Sequence, residues 1–251
     1  MVAIKFTNPP VIEVLLGINL EDIGLSSVHF GLYWQTIQAR FPLQVDRPVI
    51  SLGEDEEFEI PQLPRAVFIS SDNKKIIQLQ KNFFCFSLRH SNEYKYPHFD
   101  EIFTSFLEEW THFQEWCKGQ QIEPSLKPRR YELTYVNLLD KDVGWNSAAD
   151  NHQIFTFLNS TSGNFLGNPD SQGILLNFSL PEEGGILNVE LEHRISEEEE
   201  SDLLIFRLSI SSFDTSQDLT TWYQSAHKYM VKSFLDLTTE DARKTWGQRD
   251  E

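Results

Sequence analysis

The sequence predicts an α+β fold of two tandem units, residues 1–124 and 125–251, packed as one body. Each unit reads strand, helix, antiparallel sheet and long helix, with the long amphipathic helix covering one sheet face. Three observations predict this. Two apolar, β-branched strands, "VIEVLLGINL" and "YELTYVNLL", stand at corresponding places in the halves. Two helical stripes recur every three or four residues: Phe99, Phe103, Phe106, Trp110, Phe113, Cys117, and Trp222, Ala226, Met230, Phe234, Leu237. Between strand and stripe, the first half carries a β-hairpin and the second a three-strand meander whose strands alternate apolar and polar side chains. A pseudo-symmetric saddle, a continuous sheet with both helices on one side, and a single helix-grip domain all fit this order.

The elements follow one by one. Asn8, Pro9 and Pro10 forbid helix and hold the chain extended ahead of the strand at 11–20. After a turn at Gly24–Ser27, Phe30, Tyr33, Trp34, Ile37 and Phe41 take helical spacing, and Pro42 stops it. Residues 42–64 hold four prolines and the acidic cluster Glu54–Glu57, which predicts a surface loop. "RAVFIS" and "KIIQLQKNFFCFSLR" flank the turn former "SDNK", giving a β-hairpin. The Phe99 helix then closes at Lys118–Gly119. In the second half, Glu132 heads "ELTYVNLLD" as Glu13 heads "EVLLGINLE". A weaker helical piece, "NHQIFTFLNS", precedes three strands, "GILLNFSL", "GILNVELEHRI" and "LLIFRLSISSF", joined by "PEEGG" and "SEEEESD". The last long helix is "TWYQSAHKYMVKSFLDL", and Trp246–Gly247 ends a final helical turn.

Composition bounds the function. With 40% hydrophobic residues and 19 Phe among 251, the chain folds around a core. The net charge of −17 is spread over both halves, 17 acids against 10 bases in residues 1–125 and 21 against 11 in 126–251. Such a surface repels phosphate backbones and anionic lipid, so neither direct nucleic acid binding nor membrane association is expected; a solubilising surface or a protein partner with a basic surface is. Cys85 and Cys117 read as small buried hydrophobes rather than a disulfide framework. "MVAIKF" lacks an apolar signal region and no run is long enough to span a bilayer, which makes the cytoplasm the expected compartment.

Recognisable catalytic signatures are missing. There is no GxSxG, GxxxxGK[ST] or GxGxxG, and the seven histidines show neither HxH nor HxxxH spacing, so no cofactor, metal or catalytic residue is assigned. The candidates for a pocket or partner contact come from strand alternation instead. Glu190, Glu192 and Arg194 share one face of their strand with Asn188, and Arg207 shares one with Ser209 and Ser211. A solvated face is the plainer reading of these, as a core position is for His227, which lies beside the stripe of the last helix. Gln78 and Gln80 project together from the hairpin, and Glu13 and Glu132 are carboxylates at the heads of apolar strands. A buried carboxylate needs a partner, and Arg65 and Arg129 or Arg130 are the candidates.

Four ordered stretches carry a resemblance: "NPPVIE", "DNKKIIQLQ", "ELTYVN" and the terminal "LTTEDARKTWG". Together they resemble a sporadically distributed family of bacterial proteins about 250 residues long. The resemblance implies no reaction. It implies an accessory role in a multi-gene system, such as antiphage defence or toxin neutralisation. The expectation is therefore a non-catalytic, protein-binding component. The alternative is a small-ligand sensor or enzyme with a pocket between sheet and long helix, where Glu13, Gln78, Gln80, Glu132 and His227 would be the residues of interest.

Overall fold

The computed structural model describes residues 4–21, 23–48, 64–90, 97–122, 126–159, 165, 169–181, 184–195 and 201–250. At its centre β2 (Val11–Leu20) pairs antiparallel with β7 (Pro128–Leu139). From β2 the sheet continues outward through β6 (Phe83–Arg89), β5 (Lys75–Gln80), β4 (Arg65–Ile69) and β3 (Leu43–Arg47). From β7 it continues through β10 (Asp202–Ser211), β9 (Ile186–Ile195) and β8 (Gly173–Ser179). All nine strands form one antiparallel sheet, so the two halves share a single framework and no strand-free seam divides them. Five helices accompany the sheet among the described residues: α1 (Ser27–Ile37), α2 (Phe99–Gly119), α3 (Asn151–Ile154), α4 (Leu219–Leu237) and α5 (Glu240–Thr245).

Alternation splits the central strands between two environments. Val14, Leu16 and Ile18 of β2, Phe84 and Phe86 of β6, and Leu133 of β7 lie in one core with the stripes of α2 and α4. Phe84 meets Trp110 and Phe113 of α2 at ring-centroid distances of 5.3 and 5.1 Å. Tyr131 of β7 meets Trp222 and Tyr223 of α4 at 5.6 and 6.0 Å. Tyr223 joins both helices to the sheet, because its ring also packs on Phe103 and Phe106 while its hydroxyl donates to the Gly17 carbonyl at 2.7 Å. Aromatic faces of this size supply most of the burial that holds an α+β core together.

Four expectations change in detail. The stretch expected as loop contains β3, an edge strand paired with β4 from Leu43↔Ile69 to Arg47↔Arg65. All five of its residues are exposed, so it carries no burial alternation to read. Residues 49–63 of that loop, with the acidic cluster, lie outside the described residues, as does the acidic run 196–200. "KIIQLQKNFFCFSLR" is two strands, β5 and β6, folded back at Lys81–Asn82 rather than one hairpin arm. The helix in "NHQIFTFLNS" is the single turn of α3, because Phe155 turns extended and bridges to Thr238. Finally, β1 (Ile4–Phe6) pairs with β11 (Gln248–Asp250), closing N-terminus against C-terminus. There Gly247 adopts φ +74°, and a Cβ at that position would collide with Thr7.

Candidate functional site

The second face of the sheet, turned away from the α2 and α4 stripes, forms a cleft of about 600 Å³. Its wall is a product of register. Gln78 of β5 stands opposite Cys85 of β6, Cys85 opposite Gly17 of β2, and Gly17 opposite Glu132 of β7, so four strands present one row of side chains. Gly17 leaves this row shallow at its middle: a Cβ there would sit 2.9 Å from the ring of Phe83 and 3.5 Å from Glu132 Cβ. The neighbouring rows bring in Arg89 and Glu13, Val136 and Arg207. Buried residues on this face, including Ile76, Cys85 and Ser87, are 1%, 2% and 0% exposed, so the cleft has a closed floor.

Of the nine residues singled out by alternation and motif, Glu13, Gln78, Glu132, Arg194 and Arg207 line the cleft. Glu190 and Glu192 stand beside it as the partners of Arg207 and Arg194. Gln80, two residues from Gln78 on β5, is buried at 3% exposure and is not part of the lining. His227 lies on the core side: its ring stacks on Phe99 at 4.1 Å and its Nδ1 is 3.1 Å from the Tyr135 hydroxyl. Burial lowers its pKa to about 4, so the ring is neutral and structural. The cleft also lies on the opposite side of the sheet from the expected pocket between sheet and helix, where aromatic side chains fill the space.

The carboxylates have partners other than those expected. Glu13 accepts from Ser87 Oγ at 2.6 Å and from Arg89 Nε at 3.4 Å. Glu132 accepts from Asn19 Nδ2 at 2.6 Å, and desolvation raises its pKa against that hydrogen bond and the more distant charge of Arg130. Arg65 turns instead to Gln78, donating from Nη1 to Oε1 at 2.7 Å, while its Nε is buried without an acceptor. Burial lowers the pKa of Arg65, and the positive charge of Arg47 adds to that effect. The thiol of Cys85 is pushed well above its ordinary range by burial and by the nearby Glu13 and Glu132. A thiol so protonated is a poor nucleophile.

Sequence reasoning missed the arginines as a group. Arg47, Arg65, Arg89, Arg194 and Arg207 all line the cleft, which takes half of the chain's ten arginines and, among the described residues, none of its eleven lysines. They are scattered over 160 positions, and only the strand order brings them together. Parity was a signal for Arg194 and Arg207, which are in phase with the polar residues of β9 and β10. Arg47 shares its side of β3 with Leu43 and Val45, and Arg65 its side of β4 with Val67 and Ile69, so parity pointed to neither. No group of three His, Cys, Asp or Glu among the described residues could hold a metal ion. No helix among them is long and apolar enough to cross a membrane. Compared with known proteins, no family model, no curated protein and no solved structure matches this chain.

Proposed function

We propose that this chain is a non-catalytic binding protein whose recognition site is the cleft on the second face of its sheet. One observation carries the reading: five residues picked out independently of any structure line a single cleft of about 600 Å³, a size typical of small-molecule sites. The protonated thiol of Cys85 and the engagement of Glu13 by Ser87 and Arg89 support binding over chemistry. The protein acts in the cytoplasm as an accessory component of a multi-gene bacterial system, with antiphage defence or toxin neutralisation as the setting its motifs imply. Its net charge of −17 favours a second occupant, a protein partner with a basic surface, docked on the acidic exterior and not in the arginine-lined cleft.

We also infer that the two halves, 1–124 and 125–251, are copies of one strand–helix–meander–helix unit, each covering its share of the sheet with its own long helix. With Glu13 set equivalent to Glu132, the β2–β7 register centres on Leu15↔Thr134. The two glutamates then lie symmetrically about that pair, four positions apart, or about 13 Å along the ladder. With Gly17 then equivalent to Val136, the strand register, though not a constant residue offset, sets Cys85, opposite Gly17, in the place of Arg207, opposite Val136, and so Gln78 in the place of Glu190.

Native mass spectrometry of the tagged chain, purified from a strain carrying its neighbouring genes, tests the cleft reading. The wild type is expected to carry bound mass, and Ser209→Trp, which fills the cleft from β10, is expected to lose the small-ligand part of it while keeping its melting temperature. A bare wild-type chain, or a Ser209→Trp variant with undiminished ligand mass, would remove the cleft as the recognition site.

A further inference from the structure

We propose that the cleft takes a small organic oxyanion, a phosphate or carboxylate on an apolar body, gripped by the opposed pair Arg47 and Arg65. This rests on the reading of the cleft as a recognition site and names the chemistry it recognises. In the β3–β4 register these two arginines stand directly across from each other. Directly opposed like charges destabilise a sheet unless something of opposite charge sits between them. Among the described residues neither has a carboxylate partner: Arg65 donates only to the amide oxygen of Gln78, and its buried Nε–H has no acceptor. The other three arginines of the cleft differ, since Arg89, Arg194 and Arg207 are each joined to a glutamate. The charge that calls for a ligand is therefore local to one corner of the cleft.

The residue type narrows the ligand. A guanidinium presents a planar fork that matches the two oxygens of a carboxylate or phosphate, whereas lysine offers only a point charge. Five arginines and no described lysine line the cleft of a chain that has eleven lysines to draw on. The next pairs on the same face of these two strands are Val45↔Val67 and Leu43↔Ile69. Val45, Val67 and Ile69 line the cleft, so an apolar surface begins where the fork ends. That order, charge then hydrocarbon, fits an aryl or alkyl phosphate or carboxylate and not the bare inorganic ion. A nucleic acid strand is disfavoured by the charge of −17 and by Glu13 and Glu132 further along the cleft.

Isothermal titration of the full chain at low ionic strength with phenyl phosphate, benzoate, inorganic phosphate and benzyl alcohol tests this. Phenyl phosphate or benzoate is expected to bind, inorganic phosphate roughly tenfold more weakly for want of the apolar contact, and benzyl alcohol not at all. Which of the two oxyanions binds more tightly separates a phosphate from a carboxylate ligand; binding of either supports the proposal. Arg65→Lys, which keeps the charge and loses the fork, and Arg47→Ala, on the exposed edge strand, should each weaken binding by roughly tenfold with the melting temperature unchanged. Silence from both organic oxyanions up to about 10 mM, or binding undiminished in both variants, would overturn the proposal. If the oxyanions are silent while Ser209→Trp still strips a co-purified ligand, the oxyanion assignment falls alone. If Ser209→Trp also changes nothing, the cleft reading falls with it.

Discussion

Neighbouring residues of one strand lead different lives in this protein. On β2, Val14, Leu16 and Ile18 are at most 1% exposed and sit in the aromatic core with α2 and α4. Glu13, Leu15 and Gly17, their immediate neighbours, line the cleft. The core side is apolar and interlocked, with Tyr223 touching α2, β7 and β2 at once. The cleft side sets arginines, glutamates and small residues among apolar side chains such as Leu15, Val67 and Ile69, with Glu13 joined to Arg89 and Glu190 to Arg207 across strands. The difference teaches a division of labour. One face of the sheet packs the aromatic core, and the other sets charged side chains over a buried floor of Ile76, Cys85 and Ser87.

The sharpest way to break that division is to attack the core side. Tyr223→Ala should lower the unfolding free energy by about 3–5 kcal/mol, the usual loss for a large aromatic truncated in a core. Tyr223→Phe should lose about 1–3 kcal/mol, because it leaves the buried Gly17 carbonyl without its donor. Chemical denaturation measures both. Arg207→Ala, on the cleft side, should change stability by under about 1 kcal/mol, since its ion pair with Glu190 is partly exposed. Equal losses at the two sites would erase the distinction.

Deleting residues 1–12 comes next. It removes β1 from its partner β11, the Asn8 N–H bond to the Trp246 carbonyl at 3.1 Å and the buried Val11 at the head of β2. A loss of several kcal/mol is expected, with exposure of a strand end, so the truncated chain should aggregate. Light scattering of the purified variant measures this. A soluble, cooperatively unfolding truncation would show the N-terminus to be an appendage.

The third effect is pH-dependent and again belongs to the core side. His227 has a folded pKa of about 4 against 6.5 for the free side chain. Below pH 6.5 the unfolded chain takes up the proton first, so stability is full above that pH and falls as pH drops toward about 4. The loss from this group is bounded at roughly 3 kcal/mol. His227→Phe should flatten that part of a stability-against-pH profile.

On the cleft side, Glu132 gives a smaller effect of opposite sign. Burial raises its folded pKa, so its unfavourable contribution is absent below the unfolded value of about pH 4.5, grows as pH rises from there toward the folded value, and is constant above it. Glu132→Gln keeps an acceptor for Asn19 and should stabilise the protein at neutral pH, with the gain vanishing in acid. Thermal melts at two pH values distinguish this from a general packing change.

How much of this was legible depended on periodicity. The bounds of β2 emerge at Val11–Leu20 and those of α2 at Phe99–Gly119, because long apolar runs and three-to-four spacing are strong local signals. The polar faces of β9 and β10 were readable from alternation at 188–194 and 207–211. Where both faces of a strand meet solvent, as in β3, alternation carries no information, and that is the strand that contributes Arg47. His227 was drawn toward the site by its chemistry, but helix phase places it against Phe99 and Tyr135. The arginine cleft needed the strand order, in which β2 meets β7 across more than a hundred residues, and no local signal encodes that pairing.

The most direct test of the central claim follows side-chain nuclear magnetic resonance of the arginine Nε–Hε groups during titration with phenyl phosphate. The account predicts large shifts for Arg47 and Arg65, with the indole N–H signals of the fully buried Trp145 and Trp246 unmoved. Shifts absent from both arginines, or spread equally over the core indoles, would contradict it.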